Sequence, residues 1–155
     1  MIGVADGFFP VMTTNAGELS PTEWVRGQTE EILRTGTTDG VSVLDRPIVL
    51  ITVTGAKTGK QRLVPLMRVE HAGNYAMVAS KGGAPEHPIW YGNVTANPIV
   101  TLQDGANVGV FKAREVQGAE RDTWWDRAVE AFPNYAEYQQ KTARQIPVIV
   151  LEPAA

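Results

Sequence analysis

"PIVLITVTGAKTGKQRLVPLMRVEHAGNYAMVAS", residues 47–80, carries the texture that decides the fold. "IVLITVTG" (48–55) is a β-branched run, and "RLVPLMRVEH" (62–71) and "NYAMVAS" (74–80) follow it. Ala72-Gly73-Asn74 supplies a turn between the last two. Short runs joined by glycine turns, with no helical pattern between them, pair as antiparallel hairpins rather than as βαβ units. Downstream, "PIVTLQ" (98–103), Asp104-Gly105 and "NVGVFKAREV" (107–116) repeat that signature, and "PVIVLEP" (147–153) reads as a last buried strand. About six strands in hairpin order with helices at the ends predict a small antiparallel barrel, mainly β with flanking helices.

The flanks are helical. Ser20-Pro21-Thr22-Glu23 reads as a start, with Ser20 as N-cap, Pro21 at the first helical position and Glu23 completing a capping box. Trp24, Val25, Ile32 and Leu33 then mark one face of a helix to about residue 35, which "TGTTDG" ends. Residues 119–132 place Trp124, Trp125, Ala128, Val129 and Phe132 at helical spacing. Pro133 breaks that helix and starts another over roughly 134–144. Residues 1–19 are small, polar and weakly periodic, and are expected to form a flexible arm; residues 20–155 are expected to form one domain.

A hydrophobic content of 43% with 20% charged residues marks a globular chain. No apolar run is long enough to span a membrane, and no basic region followed by an apolar stretch signals secretion. The absence of cysteine removes disulfides, thiolate metal sites and thiol nucleophiles, and suits the cytoplasm. A net charge of −3 argues against nucleic-acid binding. The distribution is informative: residues 47–93 hold five bases (Lys57, Lys60, Arg62, Arg68, Lys81) against two acids, while both flanks are acidic. Such an island attracts a small anion, and a solvated face has the same composition.

Thr54 to Arg62 supplies three cations, two threonines and two glycines in nine residues. It lacks P-loop spacing, yet amides at glycine turns with point and fork cations cradle phosphate or carboxylate. An ordinary hairpin tip with solvated lysines uses the same residues. Ser80-Lys81-Gly82-Gly83 ends the next strand pair; if both loops share a rim, Lys57, Arg62 and Lys81 converge. Ser80 has no G-x-S-x-G elbow around it and reads as a hydrogen-bond donor rather than a nucleophile. His71 and His87, the only histidines, have no metal-ligand pattern, so no metal is expected. Trp90 and Tyr91 read either as core anchors or as walls of a planar site. Tyr135 and Tyr138, three apart on one helix face with Phe132 before them, either pack that helix on the barrel or form an aromatic lid.

Taken together, "TGAKTGKQRLVPL", "ASKGGAPEHPIWYGN", "NPIVTLQ", "FPNYAEYQQKT" and "IPVIVLEP" resemble the deazaflavin-dependent nitroreductase family of actinobacteria, in order and approximate spacing, over about residues 47–153. The resemblance implies a split β-barrel related to flavin-mononucleotide oxidases, with the reduced deazaflavin coenzyme F420 as hydride donor. It assigns cofactor contacts to Ala56, Lys57, Thr58, Gly59 and Arg62 of the first loop and to Val78, Ala79, Ser80, Lys81 and Gly82 of the second. It places Leu63, Val64, Pro65 and Met67 along the ring-bordering strand, and Ile89, Trp90, Tyr91 and Asn93 beside the cofactor. Tyr135 inherits the approach to ring and substrate, so Ser80 and Tyr135 are the expected catalytic donors. Met67, Phe132, Tyr135 and Tyr138 are the expected substrate pocket.

Met67 and Phe132 stand where nitroimidazole-activating members carry tyrosines, which removes two hydroxyls from that pocket. The phosphodiester and glutamate tail of the coenzyme suit a basic rim on an acidic protein. The implied reaction is hydride transfer to an enone, quinone or nitro compound, with the protein orienting the cofactor and stabilising charge on the acceptor oxygen. An FMN-dependent oxidoreductase of the same fold and a non-catalytic deazaflavin carrier are the rival readings. Split barrels of this kind suggest a homodimer, and a lipid quinone substrate implies peripheral membrane contact, although the leader lacks a basic amphipathic pattern.

Overall fold

The computed structural model describes residues 19, 20 and 22–154; Pro21 and nearly all of the expected arm lie outside the described residues. Strand β1 (Ser42–Val43) leads into β2 (Arg46–Thr54), which organises the sheet. Along β2, Ile48 and Leu50 join one apolar cluster while Val49, Ile51 and Val53 join another, the alternation that a period of two imposes. β3 (Gln61–Met67) pairs with β2 antiparallel, from Ile48↔Met67 to Thr54↔Gln61. The chain then changes partner within two residues. Arg68 N–H donates to Pro47 O at 3.1 Å, whereas Val69 O accepts from Ala76 N–H at 2.9 Å. β4 (Glu70–His71) continues on the new partner, β5 (Asn74–Val78). The stretch expected as one strand, 62–71, is two ladders joined by a bend.

That bend closes the barrel. With β6 (Ile99–Asp104), β7 (Asn107–Glu115) and β8 (Val148–Pro153), the order is β1-β2-β6-β7-β8-β5-β4, and β3 flanks β2. The expected barrel is present, with eight strands among the described residues in place of about six; the additions are the two-residue β1 and β4. Among the described strands β3 pairs only with β2, and β5 only with β4 and β8. A split therefore opens between β3 and the second half of β5. Pro65, which has no N–H to donate, is tolerated because β3 is an edge.

Helix α1 (Glu23–Thr35) starts later than expected, with Thr22 at its N-cap and no side-chain cap. Ser20 Oγ accepts instead from Thr22 N–H at 3.1 Å, a local turn outside the helix. Its buried residues are Thr29 and Ile32, while Trp24 (63% exposed) and Leu33 lie on the flanks, so those two do not mark the inner face. Residues 79–93, expected as a loop, contain the start of α2 (Ile89–Ala96), for which extended Pro88 provides the entry. α3 (Gly118–Ala131) matches expectation. α4 (Asn134–Gln140) stops four residues short of it, because Gln139 turns onto the following segment: its Nε2 donates to Arg144 O at 2.7 Å and its Oε1 accepts from Ile146 N–H at 3.0 Å.

The two apolar clusters are the two faces of the barrel wall. The inner one gathers β2, β5, β6, β7 and β8 and is plugged by Trp90 and Val94 of α2. The outer one packs β2, β3, β5 and β8 against α1, α3 and α4. Register fixes one further relation. Thr52↔Thr101, Glu115↔Ile149 and Val78↔Val148 bring the end of β2 and the end of β5 to the same rim. The loops after them are neighbours on that rim, with α2 alongside.

Candidate cofactor and substrate site

The first loop, 55–60, is tied to itself and to α2. Gly55 N–H donates to Lys60 O at 2.8 Å, Gly59 N–H to Gly55 O at 3.0 Å, and Lys60 N–H to Thr58 Oγ1 at 3.2 Å. A Cβ on Gly55 would meet Thr58 Oγ1 at 3.0 Å and Lys60 O at 3.2 Å, so a glycine is needed there. From α2, Asn93 Oδ1 accepts from Ala56 N–H at 2.9 Å, and Asn97 Nδ2 donates to Thr54 O at 3.3 Å. Ala56, Lys57, Thr58 and Gly59 are exposed, Arg62 is half-buried, and Lys57 makes no ion pair with any described residue.

The second loop makes a tight turn at residues 80–83. Lys81, Gly82 and Gly83 have φ of 47°, 64° and 85°, a run of left-handed residues that only the glycines adopt freely. Gly83 N–H donates to Ser80 O at 2.9 Å, and Lys81 Nζ pairs with Glu86 Oε1 at 3.1 Å. Ser80 is buried at 7% exposure, and its hydroxyl bonds to no described residue. The turn presses on α4: a Cβ on Gly83 would stand 2.8 Å from Tyr138 O.

Beside this turn lies an aromatic group. Phe132, Tyr135 and Tyr138 have ring centroids 5.1 to 6.2 Å apart, and Trp125 lies 6.4 Å from Tyr135. Of the expected substrate residues, the rings of Phe132, Tyr135 and Tyr138 meet directly, and Met67 belongs with Leu63 to the apolar cluster they pack in. Tyr135 is 4% exposed, and its hydroxyl bonds to no described residue. Burial pushes its pKa well up, with the neighbouring Tyr138 adding to the shift. This tyrosine stays neutral and able to donate.

The remaining expected residues act from behind. Trp90 is buried in the inner core, as is Ala79, while Val78 belongs to the outer one. Tyr91 donates to Glu115 Oε1 at 2.6 Å, which with burial holds its pKa up at about 12. Asn93 has its carbonyl committed to Ala56. Ile89, at 78% exposure, is turned outward. Val64 and Pro65 are half-buried along the edge strand. The basic island divides, since Arg68 pairs with Asp104 at 2.8 Å at the opposite rim. A cavity of 440 Å³ opens there between Asp39, Asp45, Arg68 and Asp104, and no expected site residue lines it. Among the described residues no group of three His, Cys, Asp or Glu is placed to hold a metal ion.

The profile of the F420H(2)-dependent quinone reductase family matches residues 24–153. An F420H(2)-dependent quinone reductase of Mycobacterium tuberculosis is 40% identical over 108 residues, 68% of this chain and 72% of that one. The chain belongs to this family. Two solved structures are also similar: an F420-H2 dependent reductase, 66% identical over 73% of this chain and 100% of the other with a TM-score of 0.67, and a domain-swapped dimer, 67% identical over 86% and 100% with a TM-score of 0.69. An F420H(2)-dependent quinone reductase is an oxidoreductase that moves hydride from reduced coenzyme F420 to a quinone acceptor, so the family's cofactor is the expected F420 and not the rival FMN. The donor set of this reductase fits such an anionic, ring-bearing cofactor. Lys57, which pairs with no described residue, Lys81 beside Glu86, and the open space above Gly59 and Gly82 suit the phosphate end; the split along the edge strand β3 suits the ring. Sequence reasoning missed Arg144, α2 as a buttress and the demand for glycine at 83. Only the Gly82-Gly83 pair offered any signal.

Proposed function

We propose that this reductase holds coenzyme F420 with the acidic end on Lys57, Thr58, Arg62, Lys81 and Gly82, and the ring along Leu63, Val64, Pro65 and Met67. The observation that carries this reading is the meeting of two left-handed glycine turns, with their cations, at one rim beside a buried tyrosine whose hydroxyl has no partner among the described residues. The bound cofactor supplies the hydride. Ser80 and Tyr135 donate hydrogen bonds to the oxygen of the acceptor as it gains negative charge. Tyr135 suits that task because burial keeps it protonated. Met67 and Phe132 leave the pocket wall apolar, which favours flat quinones; enones and nitro compounds are the further acceptors the pocket would admit.

The likeness to a domain-swapped dimer supports a homodimer. No helix among the described residues is long and apolar enough to cross a membrane, and the cytoplasm is the proposed location, with contact to a membrane surface where the quinone is a lipid. Residues 20–155 would act as one domain behind a short arm. The test is titration with F420, followed by menadione and loss of the reduced cofactor's absorbance. Turnover above the protein-free rate, lowered in Tyr135→Phe with cofactor affinity kept, supports the assignment. Binding without turnover of any quinone leaves a carrier, and no binding of F420 refutes the site.

A further inference from the structure

Arg144 lies just beyond α4, on a segment that Gln139 pins at Arg144 O and at Ile146 N–H. Its guanidinium reaches back across 57 to 65 residues of chain to one short stretch. Nη1 donates to Ala79 O at 3.1 Å, Nη2 to Ser80 O at 2.9 Å, and Nε to Ala84 O at 3.0 Å. Nη1 also meets His87 Nδ1 at 2.9 Å. Four of the five guanidinium N–H groups are thus committed to residues 79–87. No carboxylate among the described residues shares them, and the guanidinium lies behind the turn that carries Ser80, Lys81 and Gly82.

The grip has a consequence for the backbone. In a planar trans peptide the N–H points opposite the C=O. Holding Ser80 O toward Arg144 therefore turns Lys81 N–H to the other side. Lys81 N–H and Gly82 N–H donate to no described residue. The dihedrals run from right-handed at Ser80 to left-handed at Lys81, the order that points successive amides at a shared anion.

We propose that Arg144 is a positioning residue for the cofactor. It clamps three carbonyls of the 79–84 stretch and so presents the Lys81 and Gly82 amides, with the Lys81 ammonium, to the anionic end of F420 without touching it. This rests on the reading that the 80–83 turn grips that end.

The test uses the full chain and two variants, Arg144→Met and Arg144→Lys. One readout is affinity by fluorescence for two probes: oxidised F420, and its deazaflavin chromophore lacking phosphate and glutamates. The other is amide hydrogen exchange at 79–87 without ligand. Losing the clamp removes charge-assisted contacts, so Arg144→Met is expected to weaken F420 roughly tenfold or more, leave the truncated chromophore within about twofold, and speed exchange at 79–87. Arg144→Lys keeps the charge but cannot hold three carbonyls, and is expected to lose at least about half of that effect's logarithm. F420 binding at wild-type strength in Arg144→Lys overturns the clamp, and it decides the matter if Arg144→Met does not fold. Equal weakening of both probes overturns it as well. Failure of the unaltered protein to bind F420 overturns the cofactor reading itself, a result separate from any difference between variants.

Discussion

Gly82 and Gly83 offer a controlled comparison. Both have positive φ, 64° and 85°, so alanine at either is disfavoured by about 1–2 kcal/mol, less roughly 0.4–1 kcal/mol recovered because alanine also restricts the unfolded chain. They differ in their surroundings. A Cβ at Gly82 meets nothing within 4 Å; at Gly83 it meets Tyr138 O at 2.8 Å, Lys141 Cβ at 3.0 Å and Tyr138 Cα at 3.2 Å. Two of those atoms are backbone of α4, so no rotamer change relieves the overlap. Forcing apart a packed contact costs about 1–3 kcal/mol.

Gly82→Ala is therefore expected to cost about 1 kcal/mol and Gly83→Ala about 2–4 kcal/mol. In a chain of this size these correspond to losses in Tm of about 2–4 °C and about 5–15 °C. Thermal unfolding followed by circular dichroism measures both. The Gly83 variant should also bind F420 more weakly, since the turn moves off α4 and carries Lys81 with it. If the two variants melt within about a degree of each other, the 80–83 turn does not press on α4, and the cofactor loop is not coupled to the tyrosine helix through Gly83.

Asn93→Ala removes the acceptor for Ala56 N–H; with that amide open to water the expected cost is about 1 kcal/mol, seen as faster amide exchange at 55–60 and weaker F420 binding. Lys57→Ala should lower F420 affinity most at low salt and flatten its salt dependence, because the lysine is exposed and its attraction is screened. Lys81→Gly should be more stable than Lys81→Ala by about 1 kcal/mol in urea unfolding, since residue 81 is left-handed. Above pH 10, stability should fall. Tyr75 is raised to about 12, by burial first and then by its bond to Asp104, Tyr91 to about 12 by its bond to Glu115 and by burial, and Tyr135 is raised by burial. The folded chain keeps protons that the unfolded chain releases from its ordinary value of 10.0 upward, so this stabilisation is whole below pH 10 and is lost as pH climbs through the folded values. Urea midpoints between pH 8 and 11.5 check the sign; a rise with pH would contradict it.

Much of the barrel is written in local pattern. The β-branched run at 48–53 and the turns at Ala72-Gly73 and Asp104-Gly105 announce their hairpins through backbone preference. The spacing of Phe132, Tyr135 and Tyr138 places three rings on one side before anything is known of the barrel. The bend at Arg68 and Val69 carries no glycine or proline. Arg68 still bonds to β2 while Val69 already bonds to Ala76 in the β4–β5 hairpin, and neither residue type marks where that change of partner falls. Helix α2 is hidden differently: its apolar residues follow no period of 3.6, because Trp90 and Val94 plug the barrel while Ile89 faces out and Tyr91 reaches Glu115.

Arg144 marks the limit most sharply. A cation paired with a carboxylate leaves two charged letters to be matched, as Arg114 does with Glu120 and Glu152. Arg144 is satisfied by carbonyl oxygens, which every residue possesses, and so the partner cannot be found in the letters at all. The glycines of the same turn are legible because their φ values are local, while the guanidinium that fixes which way the turn's amides point is visible only once 79–84 and 144 have met. The division follows from chemistry: side-chain-to-side-chain recognition leaves a trace in composition, and side-chain-to-backbone recognition leaves one only in the fold.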